Sequence, residues 1–451
     1  MDHVVQPPES VLNILKKLEN NGYDAYAVGG CIRDVMLGRE PKDWDIATNA
    51  LPQEVKGLFE RTSDTGLKHG TVTVLLDNNT FEVTTFRIDG GYEDGRHPST
   101  VEFTNALEED LRRRDFTMNA MAWNGERGIV DPFGGREDIG KRLIRSVGEP
   151  GERFREDALR MLRAIRFAAR LGFDIYDGTL AAIRENCRLI GSISSERIRE
   201  ELTGILTADD AMKFILLRDT GLLQLILPEI EACFNTIQNN PHHVYNVGEH
   251  SIRAVAAAKK NEYIRWTMLL HDTGKAVTRT TDDKGIDHYY GHPDKSVEIA
   301  RKILKRLKFD NKSMNIILRL VKHHDRDILP TTRAVAKAVH AVGDDIFTDL
   351  LDVKRADKSA QNPADLQKGL EYVDTIQRIY TELKAQRSCL EMKDMAIDGH
   401  DLIGLGFREG KEVGFALQYL FEKVLENPSL NEKRFLVELA AELLCEHQKD
   451  V

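Results

Sequence analysis

Long apolar runs are missing from this 451-residue chain; no stretch approaches the ~20 residues that a membrane-spanning helix needs. A helical membrane protein is therefore excluded. The opening MDHVVQPPES lacks the basic start and apolar stretch of a secretory signal, so a cytoplasmic protein is expected. Cysteine is scarce: Cys31, Cys187, Cys233, Cys389 and Cys445 are scattered and odd in number, with no CxxC. That excludes a disulfide-stapled scaffold and fits a reducing compartment. There is no tandem repeat or low-complexity tract. Nor is positive charge in excess: 63 Lys and Arg face 73 Asp and Glu, a formal net charge of -10. A uniformly basic nucleic-acid coat is thus ruled out, but binding depends on where charges sit. From Arg136 to Arg170 ten basic residues stand against six acidic ones, and RKILKRLK, Arg301 to Lys308, is a second basic block.

What remains is a soluble globular composition, 41% hydrophobic and 30% charged, at a length that suggests about two to four domains. Residues 9–21 predict an amphipathic helix, DAYAVGG a strand running into a glycine turn, and CIRDVMLG a helix. DWDIAT, GTVTVLLD and TFEVTTFR predict strands, with DNNT as a turn. The glycine-rich stretch Gly90 to Thr100 predicts a mobile loop. From Glu152 onward the pattern is helical, including an unbroken run through REDALRMLRAIRFAARLGF. QNNPHH near Asn240 reads as a linker, and QNPADLQKG as a second break before helices that run to the end.

Asp43 and Asp45 carry the first chemical signal. Residues i and i+2 of a strand share a face, so the two carboxylates project together while Trp44 turns toward a core. Such a pair repels itself unless a cation lies between, and Mg²⁺ suits it, because this ion joins one or two carboxylates to substrate phosphates. Gly29 and Gly30 permit close backbone approach to a phosphate at a helix start, and Arg33 can reach a triphosphate. A DxD alone is more often a solvated turn; the glycine–helix element upstream makes the difference.

GGCIRD followed by DWDIAT resembles the signature of polymerase-β-like nucleotidyltransferases. TGLKHGTVTV, FEVTTFR, EEDLRRRDFTMNAMA, DPFGGREDIGKRLIRSVG and REDALRMLRAIRFAARLGF follow in order. Together they are similar to the family of class II tRNA nucleotidyltransferases and bacterial poly(A) polymerases. The resemblance implies an α+β chain: a nucleotidyltransferase head over 1–145, an all-α neck over 146–235, a helical body over 236–375 and a helical tail over 376–451 that grips tRNA. It implies Mg²⁺ on Asp43 and Asp45, with Glu82 as a candidate third carboxylate; a structural Glu paired with an arginine is the alternative for Glu82. Arg114 and Asp115 would contact ribose and phosphates, while Arg112 and Arg113 are expected to be solvated. Asp157 and Arg160 would read the base edge, with Arg163 and Arg166 toward phosphate; an exposed helical ion pair is the alternative. A carboxylate accepts and a guanidinium donates, which suits cytosine and adenine and rejects uracil and guanine at ~1–3 kcal/mol per mismatch.

The implied substrates are tRNA, CTP and ATP, with neither DNA nor a membrane as partner. TSDTGLKHGTVTVLL stands where poly(A) polymerases of the family carry an arginine-rich segment, and the loop with Gly90 and Gly91 is one that CC-only enzymes lack. Both favour addition of a complete CCA over A alone. The second half adds His250, His271, Asp272, His292, His323, His324 and Asp357 in an order similar to HD metal-dependent phosphohydrolases. That resemblance implies one transition metal (Mn, Fe, Ni or Zn) on His250, His271, Asp272 and Asp357, and a candidate second on His292, His323 and His324. The alternatives are an inherited helical scaffold, and an HD hydrolase whose head merely binds RNA.

Overall fold

The computed structural model describes residues 5–90, 100–239, 244–385 and 392–447. Gly91 and most of the expected loop, the linker at 240–243 and Cys389 lie outside them. The chain divides into two compact units, Met1–Pro228 and Glu229–Val451.

The first unit is built on a seven-stranded mixed sheet: β1 (Ala25–Val28), β2 (Asp45–Thr48), β3 (Thr62–Gly66), β4 (Thr71–Leu76), β5 (Asn79–Thr85), β6 (Ala122–Asn124) and β7 (Gly128–Val130), in the order β3-β4-β5-β2-β1-β6-β7. β2 and β5 run parallel, with Ile46 opposite Val83; β1 pairs antiparallel with both β2 and β6. β1 lies well inside the sheet and reads AYAV, buried throughout. The alternating Val and Thr of β4 bury one face, as period-2 patterning requires. Asp77 and Asn78, both at positive φ, close the two-residue hairpin between β4 and β5. Tyr26, Val28, Ala47, Phe86, Leu111, Ala120, Ala122 and Val147 form a core against the sheet.

Two corrections concern expected elements. The strand expected over DWDIAT begins only at Asp45, which pairs with Val28 at the end of the β1–β2 ladder; Asp43 precedes it, though Trp44 is buried as expected. The helix expected to run unbroken through REDALRMLRAIR stops at Glu156. Asp157 is extended (φ -141°, ψ 103°) before a new helix, α2 (Leu159–Leu171). Asp side chains compete for nearby backbone N–H groups, and here Asp157 Oδ1 accepts from Leu159 N at 3.0 Å.

Among the described residues, the second unit is built of helices with one short hairpin, Thr280–Thr281 with Asp287–His288. Its central helices are α3 (Val247–Ala257), α4 (Glu262–Leu270), α5 (His292–Arg306), α6 (Asn311–His323) and α7 (Asp344–Ser359). Side-chain oxygens of Asn246, Asn261 and Asp310 cap three of them. Trp266 and Phe347 are wholly buried among them. Four further helices, Leu366–Ala385, Gly399–Leu405, Lys411–Glu426 and Lys433–His447, follow toward the end. The architecture is α+β: a mixed-sheet head followed by helices. Among the described residues no helix is long and apolar enough to cross a membrane.

Candidate active site

β1 ends in a forced turn. Gly29 sits at φ +80°, a region costly for residues with a Cβ, and a Cβ there would lie 2.6 Å from Arg114 Nη1. The turn launches the helix Gly30–Met36, which carries Arg33. The same sheet edge carries the carboxylates. Asp45 opens β2, and the parallel register that sets Ile46 beside Val83 places Glu82 beside Asp45 on β5. Desolvation in the recess raises the Asp45 carboxyl above its ordinary value and Asp43 adds to this, against the pull of Arg114. Glu82 is likewise raised, by desolvation and then by Asp45 and Asp43. Mutual repulsion of three acceptor-only groups is the condition a divalent cation relieves, so this donor set fits Mg²⁺. It favours the third-carboxylate reading of Glu82 over an arginine partner. The three do not bring their oxygens within 4.8 Å of one another.

Beyond Asp45 opens a cavity of about 430 Å³. Six arginines (Arg33, Arg113, Arg114, Arg160, Arg163 and Arg197) line it against Asp45, Asp115 and Asp157, beside Gly30, Asn119 and Phe167. The excess of guanidinium suits a polyanion. A buried chain of bonds fixes it. Arg33 Nη1 donates to Asn119 Oδ1 at 2.7 Å, and Asn119 Nδ2 donates to Asp115 Oδ1 at 3.0 Å. Asp115 Oδ2 accepts from Arg163 Nε and Nη2 at 2.9 and 2.7 Å. Burial alone would raise Asp115; Arg163, Asn119 and Arg160 outweigh it and hold the carboxyl below its usual range. Asp115 is thus a buried anion that aims cations. Arg114 Nε is buried with no hydrogen-bond partner, a donor left for a ligand.

Asp157 and Arg160 both face the cavity, already engaged. Asp157 Oδ2 accepts from Arg197 Nη2 at 2.8 Å. Arg160 donates through Nη1 to Glu156 Oε2 and Arg153 O, and through Nη2 to Arg113 O. Each Asp157 oxygen keeps one lone pair, and Arg160 keeps Nε–H and one Nη2–H, so the pair can still accept and donate across a base edge. Arg166 is not brought into the cavity. Its Nε donates to Glu201 Oε2 at 2.6 Å, on the helix Ser195–Leu206. Six residues on from Arg160 at about 100° each, it has rotated roughly a third of a turn away. Arg113, expected to be solvated, instead lines the cavity, bonded to Asp110; Arg112 stays outside with Glu108. Sequence reasoning missed Arg197, Asn119 and Phe167. Asn119 and Phe167 had a local signal, lying inside RRRDFTMNA and REDALRMLRAIRFAARLGF; Arg197 had none.

The second unit gathers the histidines. His250 Nε2 lies 3.3 Å from His271 Nε2 and 3.0 Å from Asp357 Oδ1. His292 Nε2 lies 3.2 Å from His324 Nε2. Asp272 joins the groups: Oδ2 is 3.3 Å from His271 Nε2, and Oδ1 is 3.5 Å from both His292 and His324 Nε2. All four Nδ1 atoms meet backbone carbonyls, of Ala360, Met268, Tyr289 and Val321. A carbonyl only accepts, so Nδ1 carries the proton and four Nε2 lone pairs converge. Imidazole lone pairs cannot bond one another; a transition metal fits them. Asp272 Oδ2 is buried and has the Lys275 ammonium as a charge partner, Nζ lying 2.8 Å away. With no cation present, burial would lower His271, but Asp272 and Asp357 override it and push it up to about 10.

His323 does not join. It lines a separate groove with Arg301, Arg319 and Lys322, and is pushed down to about 4 by burial and by Arg326, Lys322 and Arg319. Neighbouring helix residues point about 100° apart, so the backbone that aims His324 inward turns His323 out.

Three family profiles match the chain: the poly A polymerase head domain over residues 25–145, the probable RNA and SrmB-binding site of polymerase A over 172–234, and tRNA nucleotidyltransferase domain 2 (putative) over 294–440. The CCA-adding enzyme of Geobacillus kaustophilus is 52% identical over 230 residues, 51% of this chain and 57% of that protein. The alignment with this relative, like that with the CCA-adding enzyme of Geobacillus thermodenitrificans, thus spans little more than half of that protein's length. The CCA-adding enzyme of Limosilactobacillus fermentum is 33% identical over 96% of both chains. The crystal structure of the Bacillus stearothermophilus CCA-adding enzyme in complex with CTP superposes with a TM-score of 0.73 at 31% identity, covering 99% of this chain and 100% of that one. Full-length identity to one such enzyme, with a matching head and matching helices, means that the chain belongs to the CCA-adding enzyme family.

Proposed function

We propose that this protein adds CCA to the 3′ end of tRNA without a nucleic-acid template, taking CTP twice and ATP once and releasing pyrophosphate. One observation carries this reading: a single cavity holds a metal-type carboxylate, Asp45, together with the base-edge pair Asp157 and Arg160. Asp43 and Asp45, with Glu82 beside them, would hold Mg²⁺. When bound, such a cation supplies charge neutralisation and hydroxyl activation. Arg33, Arg114 and Arg163 neutralise the triphosphate and hold its α-phosphorus in line with the RNA 3′-hydroxyl. The 3′-hydroxyl loses its proton to solvent as its oxygen forms the new P–O bond, the bond to the β-phosphate oxygen breaks, and pyrophosphate leaves with the electron pair. Asp157 accepts the exocyclic amino group of cytosine or adenine, and Arg160 donates to the ring nitrogen. Uracil and guanine present the reverse pattern, and each mismatched bond costs ~1–3 kcal/mol.

The test uses tRNA transcripts ending before CCA, at C and at CC, each given CTP, ATP or both with Mg²⁺. Two C and one A followed by arrest is the expected result. A alone on the CC-ended transcript would make it an A-adding enzyme, and long A tails a poly(A) polymerase.

A second activity is supported by the converging Nε2 atoms. His250, His271, Asp272 and Asp357 would hold one transition metal, and Asp272, His292 and His324 a second. Such a pair supplies an activated water for phosphoester hydrolysis. The suited substrate is a 2′,3′-cyclic phosphate or 3′-phosphate at an RNA end, whose removal frees the hydroxyl that the head needs. Metal content should fall after His271→Ala or Asp272→Ala; unchanged content would end this reading.

A further inference from the structure

Among the described residues, the three most exposed large apolar side chains all belong to the second unit. Tyr290 is 78% exposed, Ile237 67% and Val277 65%. Tyr289 ties their three segments together. Its hydroxyl donates to Ile237 O at 3.4 Å, and its ring lies 5.4 Å from Lys275 Nζ, on the short helix that carries Val277. The hairpin strand Asp287–His288 is fastened to the same segment. Asp287 N donates to Asn239 O at 3.0 Å, and Asn239 N to Asp287 Oδ2 at 2.9 Å. Tyr290 is presented, not loose: its ring lies parallel to His288, 6° apart with centroids at 5.4 Å, and Asp282 Oδ2 holds His288 Nε2 at 3.0 Å.

This surface adjoins the histidine–aspartate cluster. Tyr289 O accepts from His292 Nδ1 at 2.9 Å, and Lys275 Nζ lies 2.8 Å from Asp272 Oδ2. Tyr290 and His292 are two residues apart, so their Cα atoms are within about 7 Å, and the exposed ring and the cluster are carried by one short stretch of backbone. An exposed aromatic face on the backbone that also carries a phosphate-suited centre has the form of a base-stacking site, which tolerates any base.

We propose that Tyr290, backed by His288, is a nucleobase-stacking platform that presents the terminal phosphoester of an RNA 3′ end to the histidine–aspartate cluster. It rests on the hydrolase reading of that cluster and names what the cluster would recognise: the last base together with its phosphate, not a free phosphoester.

The test uses the full chain loaded with Mn²⁺ and a trinucleotide ending in 2-aminopurine riboside 3′-phosphate, whose fluorescence falls on stacking. Wild type should quench it. Tyr290→Ala should lose the quench and bind about tenfold more weakly, whereas Tyr290→Trp should restore both. In hydrolysis, the rise in KM for Tyr290→Ala should be confined to substrates that carry a base and absent for phenyl phosphate. Quenching that survives Tyr290→Ala overturns the platform even where phenyl phosphate is hydrolysed. Quenching that depends on Tyr290 while neither substrate is hydrolysed keeps the platform and removes the hydrolase.

Discussion

Replacing Arg197 with Met removes the partner that aims Asp157 while keeping most of the side chain's bulk. The lost contact is a single charge-assisted bond, Nη2 to Oδ2 at 2.8 Å, between side chains that are mostly buried yet border an open cavity. Bonds to charged groups contribute ~1.5–3 kcal/mol, and the cavity's access to water selects the lower end, ~1.5 kcal/mol. Asp157 retains its Leu159 N–H bond through Oδ1, so the carboxylate stays near its place but is free to rotate. Freed in this way, it accepts an amino group less well and excludes a carbonyl oxygen less firmly. The expected result is about a tenfold loss in kcat/KM for both CTP and ATP, with a smaller loss for UTP and GTP, so that discrimination narrows. Single-nucleotide incorporation on tRNA ending in C and in CC, with each of the four triphosphates, reads both quantities. A folded variant whose CTP-to-UTP preference stays within about twofold of wild type would refute the argument that Arg197 pre-orients the base reader.

Asp43→Asn or Asp45→Asn should cut transfer by roughly a thousandfold with little change in thermal midpoint, checked by primer extension beside a melt. Because Asp45 and Glu82 are raised, cation binding should weaken as pH falls from above the ordinary carboxylate range; more Mg²⁺ should move that limb of the rate profile to lower pH. Gly29→Ala should cost ~1–2 kcal/mol through its positive φ and raise KM for triphosphates by displacing Arg114, read by kinetics and urea unfolding. His324→Gln should lower bound metal while His323→Gln keeps it, measured by elemental analysis. His323 is depressed to about 4 from an unfolded value near 6.5. The folded state therefore binds fewer protons between those values, and stability falls as pH drops from 6.5 toward 4. His323→Gln should flatten that fall in denaturant titrations.

What could be read from the residues was what local spacing encodes. The turn at Gly29 and Gly30, the alternation of β4 and the outward–buried–outward run Asp43, Trp44, Asp45 depend on neighbours in sequence, and each is found in place. Asp157 and Arg160 both face the cavity, through a helix break rather than along one helix. Arg197 comes into the cavity from another helix, which no short window contains, whereas Phe167 follows Arg163 by one turn of the same helix. Arg113 was misplaced because RRR offers three equal charges, and only the buried Asp110 selects among them. Arg166 and His323 failed for one shared reason: a motif gives residue order, whereas helical phase decides which of two nearby side chains faces inward.

Asp272 splits its two oxygens between two sets of imidazoles, Oδ2 toward His250 and His271 and Oδ1 toward His292 and His324. Two ions loaded there would share one counter-charge, so occupancy of the first alters the affinity of the second. A metal titration of this protein should then depart from two independent hyperbolas, and one amide in place of that carboxylate should collapse both steps together.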